Sequence, residues 1–465
     1  MKTKFYLSLV AMLFAALTAS AEDFMYNGLA YNILNDAIHT VEVTTPTGGY
    51  TSLGGDLVIP KTAYHNGQGY GVIMIGKKAF EKCTAITSVT IPSSVQIIDL
   101  WAFYNCTNLA TINFAQNSTA LEEIKGSAFS WTAITSVTIP DGVKRINGAF
   151  TDCPNLTTIK LPNEMEELVR INYNPKLTTI NLPNGIDVLN GFNNNPSLKS
   201  ITIPKTVKRI VASALENTGL TSITIPSNVE KIEARAFADC KNLTTVTIPN
   251  TVTEIAHSLF RDCTGLTSVN IQNNTISGSQ FKGCTSLKTV TIGSNVNSFY
   301  ANNSSFAGCP IETLNVGCNL AANIALYSDT KSTLKTLNLT DGVTELPESA
   351  FEGCSVLEKV TLPSGLKSIG NAAFRNCTRM GDLVAKMVKP FAIDASVFSG
   401  VQQHGYCDLH VPQGSKVRYS AMEVWKEFTI ITEDAGSGSK RGDVNNDGQV
   451  TIADVVAVLN IMAGN

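Results

Sequence analysis

One cluster of residues in this chain is spaced to hold a hard cation. In the stretch GDVNNDGQVTIAD, Asp443, Asn445 and Asp447 stand at positions one, three and five of a twelve-residue loop. Gly448 supplies a sharp turn at position six, and Gln449 offers a backbone carbonyl at seven. Thr451 can hold a water at nine, and Asp454 closes position twelve. Alternating oxygen donors around a tight turn let one short loop surround a single Ca2+ ion, so these residues predict a calcium site. Elsewhere the chemistry-bearing residues are scattered. None of the 5 His falls in H-E-x-x-H or a similar ligand spacing. There is no G-x-S-x-G elbow, no phosphate-binding G-x-x-x-x-G-K-[ST] loop and no G-x-G-x-x-G after a strand. Carboxylates such as Glu164, Glu166 and Glu167 fall in turns, with nothing to mark a pair that could flank a glycosidic bond. The chain reads as a non-enzyme.

The cysteines lead from chemistry to architecture. Of the 11, nine (Cys83, Cys106, Cys153, Cys240, Cys263, Cys284, Cys309, Cys354 and Cys377) occupy one place in a recurring line. Residues 79–98 read AFEKCTAITSVTIPSSVQII, residues 236–255 AFADCKNLTTVTIPNTVTEI, and residues 350–369 AFEGCSVLEKVTLPSGLKSI. The same place falls on Thr132, Asn174, Asn195, Thr218 and Lys331, at intervals of 21 to 26 residues. A period in this range predicts a solenoid of about fourteen coils. Within a coil, Leu243, Val246 and Ile248 give the period-2 pattern of a short strand, which Pro249 ends. Val252, Ile255 and Phe260 then wrap the turn. One coil cannot bury its apolar side alone, but stacked coils can, joining their strands into one long parallel sheet. The cysteine column reads as buried thiols acting as small apolar groups. Parallel Cβ vectors suit disulfides poorly, and the Thr, Asn and Lys in the column argue against a metal.

Bulk properties agree with a polar-faced sheet and exclude other classes. Charged residues make up 16% and the net charge is −3, with no basic run to attract nucleic acid. Lys2 and Lys4, the apolar stretch 5–17 and Ala19-Ser20-Ala21 form an export signal with an A-x-A cleavage site. No later segment has the 18 consecutive apolar residues of a membrane-spanning helix. The expected location is therefore secreted, periplasmic or cell-surface. The outward strand positions hold mostly Ser, Thr and Asn, and Thr202, Thr224, Thr247, Asn270 and Thr291 mark the expected binding face. It carries none of the aromatic anchors that commonly supply binding energy.

The repeated line resembles the BspA-type leucine-rich repeat of bacterial surface proteins, over about residues 71 to 380. The resemblance implies a right-handed coil, mainly β or α/β. MYNGLAYNIL (25–34) and residues 55–76 resemble that family's N-terminal strand cap, and residues 407–431 its C-terminal cap. The expected organisation is a signal peptide at 1–21, a β cap at 22–76, repeats at 77–400, a cap at 401–432, a linker at 433–441 and a calcium module at 442–465. That last module, a loop followed by a helix at 452–463, resembles a single dockerin repeat. Cohesin-binding dockerins carry two. Val455, Leu459 and Met462 form an apolar stripe on this helix that would need a docking partner. Family resemblance implies a binding protein for host matrix protein, other cells or glycan. The dockerin likeness implies the alternative, a non-catalytic part of polysaccharide breakdown.

Overall fold

The period-2 pairs of the repeated line form strands whose apolar members face inward. In Thr245–Ile248, Val246 and Ile248 are buried while Thr245 and Thr247 are exposed. Equivalent residues pair in register from coil to coil, Val246 with Val269, Val269 with Val290 and Val290 with Leu314. The computed structural model describes residues 21–434 except 273–274, 277, 295–299, 302–304 and 321–327. It is a parallel β-solenoid. Its residues group into two compact units, Met1–Thr206 and Val207–Asn465. The export signal, the calcium loop and the helix at 452–463 lie outside the described residues.

In the second unit, nine parallel strands run from Thr245–Ile248 to Ile430–Asp434 as one sheet. In the first unit the equivalent face is split into Gly55–Val58, Ile86–Ile91 and Thr111–Phe114, then Ser136–Thr138, Thr158–Lys160 and Thr179–Ile180. Residues 200–203 and 222–225 form no strand, so the long sheet expected from the repeats is a series of shorter ones. The interruption falls among coils where Ile171 and Leu215 replace the inward Phe. In regular coils that Phe builds a stack: Phe80, Phe103, Phe129 and Phe150 lie 5.0–5.3 Å apart and nearly parallel. Phe237, Phe260, Phe281 and Phe306 repeat the arrangement in the second unit.

Among the described residues most coils also carry a second, two- or three-residue strand that the sequence reading treats as turn. Ile97–Ile98, Glu123–Ile124, Arg145–Asn147 and Glu167–Val169 pair in parallel. Arg209–Ile210, Lys231–Ile232 and Glu254–Ile255 do the same. The proline after the first strand makes the corner between the two: the Pro249 carbonyl accepts the Val252 N–H at 3.2 Å, and Pro92 and Val95 match it. Its ring ends the first ladder while its carbonyl starts the turn.

The thiol column closes each coil on the previous one. The Cys106 Sγ donates to the Phe80 carbonyl at 3.0 Å, Cys263 to Phe237 at 3.1 Å and Cys284 to Phe260 at 3.1 Å. Where Asn stands in the column it makes the same bond: Asn174 Nδ2 donates to Phe150 O at 3.0 Å, and Asn195 Nδ2 to Ile171 O at 2.8 Å. These side chains are thus buried donors to backbone carbonyls, not merely apolar filling. No disulfide forms among them. The residue before the thiol has positive φ, between 55° and 80° at Asn105, Asp152, Asp239, Gly283 and Asn376. Asn, Asp and Gly recur there because they tolerate this left-handed region.

At the N-terminal end, Phe24–Tyr26, Leu29–Asn35 and Thr40–Thr44 pair antiparallel, and Thr62–His65 pairs antiparallel with Gln68–Ile75. At the other end, Trp425 is fully buried and meets Phe398 and Tyr419 edge-on, closing the ring stack. The last strand takes in Glu433 and Asp434, the first two residues of the expected linker. The Glu433 carboxylate accepts the Lys416 N–H at 2.8 Å, which ties these residues down. No described helix is long and apolar enough to cross a membrane.

Candidate binding face

The outward strand positions of the second unit form two neutral columns. One runs Ser222, Thr245, Ser268, Thr289, Thr313 and Thr336, the other Thr224, Thr247, Asn270, Thr291, Asn315 and Asn338. Along part of the second column the side chains satisfy one another. Asn315 Nδ2 donates to Thr291 Oγ1 at 3.1 Å, Asn338 Nδ2 to Asn315 Oδ1 at 2.9 Å, and Thr361 Oγ1 to Asn338 Oδ1 at 3.5 Å. Such a ladder has little left to offer a ligand.

Toward the start of the sheet the ladder opens. Thr224 and Thr247 are exposed, Asn270 and Thr291 half-buried, and all four line one hollow of about 560 Å³. Pro249 and other residues from Ser222 to Thr289 complete its wall. The Asn270 Oδ1 is buried there with no hydrogen-bond partner among the described residues. An unpaired buried acceptor costs roughly 1–3 kcal/mol. Thr202, the fifth residue of the expected face, is exposed but belongs to the first unit and does not line this hollow.

Charged pairs lie on the second ladder and also on the strand face beyond Thr336, where Lys359 meets Asp382 at 2.7 Å. Arg145 on the second ladder reaches Glu166 at 3.0 Å and Glu123 at 3.9 Å, and Lys144 reaches Glu122 at 3.3 Å. At the end of the strand face His410 lies between Asp382 and Asp434, at 3.3 and 3.2 Å, with Thr432 Oγ1 at 2.9 Å from Nδ1. Its Nδ1 meets Thr432 and Asp434, while its Nε2 lies within ion-pair distance of Asp382 without a hydrogen bond. No group of three or more His, Cys, Asp or Glu among the described residues could hold a metal ion. Asp443, Asn445, Asp447, Gln449, Thr451 and Asp454 lie outside the described residues.

Comparison with known proteins bears on the repeats. A model of the BspA type leucine rich repeat region matches residues 73–191, 189–312 and 302–402. The fold is similar to that of a leucine-rich repeat protein from Bacteroides ovatus, 24% identical, over 78% of this chain and 94% of that one, with a TM-score of 0.53. A leucine rich cell surface protein from Faecalibacterium prausnitzii is also 24% identical, over 91% of this chain and 100% of that one, with a TM-score of 0.43. Among curated proteins no match is found.

Proposed function

The chain belongs to the BspA-type leucine-rich repeat family, and we propose that it is an exported, surface-exposed binding protein whose strand face takes an extended segment of a protein partner. The family match is to a repeat region and not to a catalytic family. Fold alone does not name a function, so the reading rests on the site. The observation that carries it is the open stretch of the side-chain ladder, where Thr224, Thr247, Asn270 and Thr291 line one hollow. An extended backbone presents N–H and C=O groups alternately, which suits a neutral row of hydroxyls and amides repeated at strand spacing. Each bond is weak, so affinity comes from number, and a partner of either charge is accepted. Adhesion to a matrix protein or to another cell is the use this chemistry serves best. The export-type N-terminus, Lys2 to Ala21, supports the location.

The test is binding of the purified chain to immobilised collagen, laminin and fibronectin. Binding to at least one is expected, weakened tenfold or more when Thr224, Thr247 and Thr291 are all changed to Glu, with the circular dichroism spectrum unchanged. Binding that survives the triple change would place the partner on another surface.

The C-terminal loop belongs to the same proposal. Asp443, Asn445, Asp447 and Asp454, with the Gln449 carbonyl and a water on Thr451, offer the all-oxygen donor set that Ca2+ prefers. Binding would bring three carboxylates together without repulsion and order the helix at 452–463 for docking. A single loop without a paired neighbour should bind in the roughly 10⁻⁵–10⁻³ M range. Calorimetric titration of the full chain should show one calcium site, lost in Asp447→Ala; no heat at millimolar calcium would remove this part of the proposal.

A further inference from the structure

The chain has 3 Trp. Trp425 is fully buried, but Trp101 and Trp131 are 36% and 50% exposed. Both line one hollow of about 410 Å³ in the first unit, built by four successive coils. The first coil contributes Lys78 and Glu81, the next Trp101 and Tyr104, the third Trp131 and the fourth Asp152. The volume falls within the roughly 300–1,000 Å³ of small-ligand sites.

Folding does not call for indoles at these places. Trp101 and Trp131 have φ of 58° and 60°. Trp131 stands in the column before the thiol position, where Asn105, Asp152 and Asn376 also have positive φ. A bulky side chain in the left-handed region costs backbone energy, and an exposed indole forfeits the burial that makes Trp stabilising. Both indoles nonetheless leave exposed surface at one hollow, and aromatic faces of this kind are common binding anchors.

The polar groups narrow the ligand. Lys77 and Lys78 Nζ already lie 5.5 and 5.2 Å from the centre of the Trp101 ring, so a further cation there would meet two positive charges. Lys78 is paired with Glu81 at 3.1 Å. Among the described residues the Asp152 carboxylate meets no cation within ion-pair distance. Partial burial raises its pKa, so it gains from hydroxyl donors that replace lost water. With Lys77, Lys78, Glu81 and Asp152 the charges balance. Exposed aromatic faces beside a desolvated acceptor and balanced charge suit a neutral, hydroxyl-rich ring: its C–H face lies on the indole, and its hydroxyls reach Asp152 and the Tyr104 phenol.

We infer that the hollow between Trp101 and Trp131 is a second binding site, which takes a neutral sugar unit of a glycan. It stands apart from the strand-face reading and does not depend on it. The test is native electrophoresis of the full chain through gels containing starch, mannan, laminarin or xyloglucan. Retardation by at least one polymer is expected. Trp131→Asn should abolish it and Trp101→Asn weaken it tenfold or more; Asn is native to left-handed positions here, so both variants should keep the fold. The Thr224, Thr247 and Thr291 to Glu variant should be retarded like the unaltered chain, which separates this site from the strand face. No retardation by any of the four polymers, or retardation unchanged in Trp131→Asn, would overturn the inference. Trp131-dependent binding of oligolysine in place of these polymers would also overturn it, in favour of a cation site.

Discussion

At the residue scale, the position that closes each coil is a hydrogen-bonding position that several side chains can fill. Asn174 is fully buried and serves two neighbours at once. Its Oδ1 accepts the Cys153 N–H at 2.9 Å while its Nδ2 donates to the Phe150 carbonyl at 3.0 Å. Asn174→Ala would strand both groups away from water, at roughly 2–6 kcal/mol for the two. Asn174→Cys would restore the donor and leave the Cys153 N–H without its acceptor, so its loss should be the smaller. Urea unfolding midpoints in the order unaltered chain, Cys variant, Ala variant are expected; an Ala variant as stable as the parent would show that the coil closes by packing alone. The sequence pattern identified the column and its burial. It did not reveal the donor role, because Cys and Asn look unrelated until the previous coil's carbonyl is seen to receive both; Thr132 and Thr218 donate within their own coil instead.

At the element scale, the thiol column predicts alkaline lability. Burial pushes the Cys106 and Cys354 thiols up to about 12 and Cys153 up to about 11. An unfolded thiol titrates near 8.5. Folding therefore raises these values, and the folded chain keeps protons that the unfolded chain releases. Their contribution is intact below about pH 8.5 and is lost as pH rises through the folded values of about 11 to 12. Each such thiol costs on the order of 1 kcal/mol per pH unit within that window. The denaturation midpoint should fall between about pH 8.5 and 10.5, and should fall less in the double variant Cys106→Ala, Cys354→Ala. An equal fall in parent and variant would assign the lability to other groups. The second ladder belongs to this scale as well. Its strands, such as Glu123–Ile124, are too short to show a period-2 pattern, so only register with neighbouring coils reveals them.

For the whole molecule, repetition sorts surfaces by function. Because every coil contributes one residue to each column, a column's character is the sum of many small choices. The strand face is neutral from Ser222 to Asn338 and charged beyond it, the second ladder carries further ion pairs, and two exposed indoles share one hollow. The sequence by itself determined the solenoid, its period and the inward Val, Ile, Leu and Phe, since period-2 patterning and a 21-to-26-residue repeat leave few other ways to bury apolar surface. It also determined the neutral face, because alternation along a strand assigns Thr247 and Asn270 outward without coordinates. Only tertiary structure decided where the face is open. Asn270 lacks the ladder partner that Asn315 and Asn338 have, and such pairing depends on side-chain approach between coils. It alone brought Trp101 and Trp131 together, residues 30 positions apart in a line that never marks them. Periodicity fixes which way a side chain points; the distance between coils fixes what it meets.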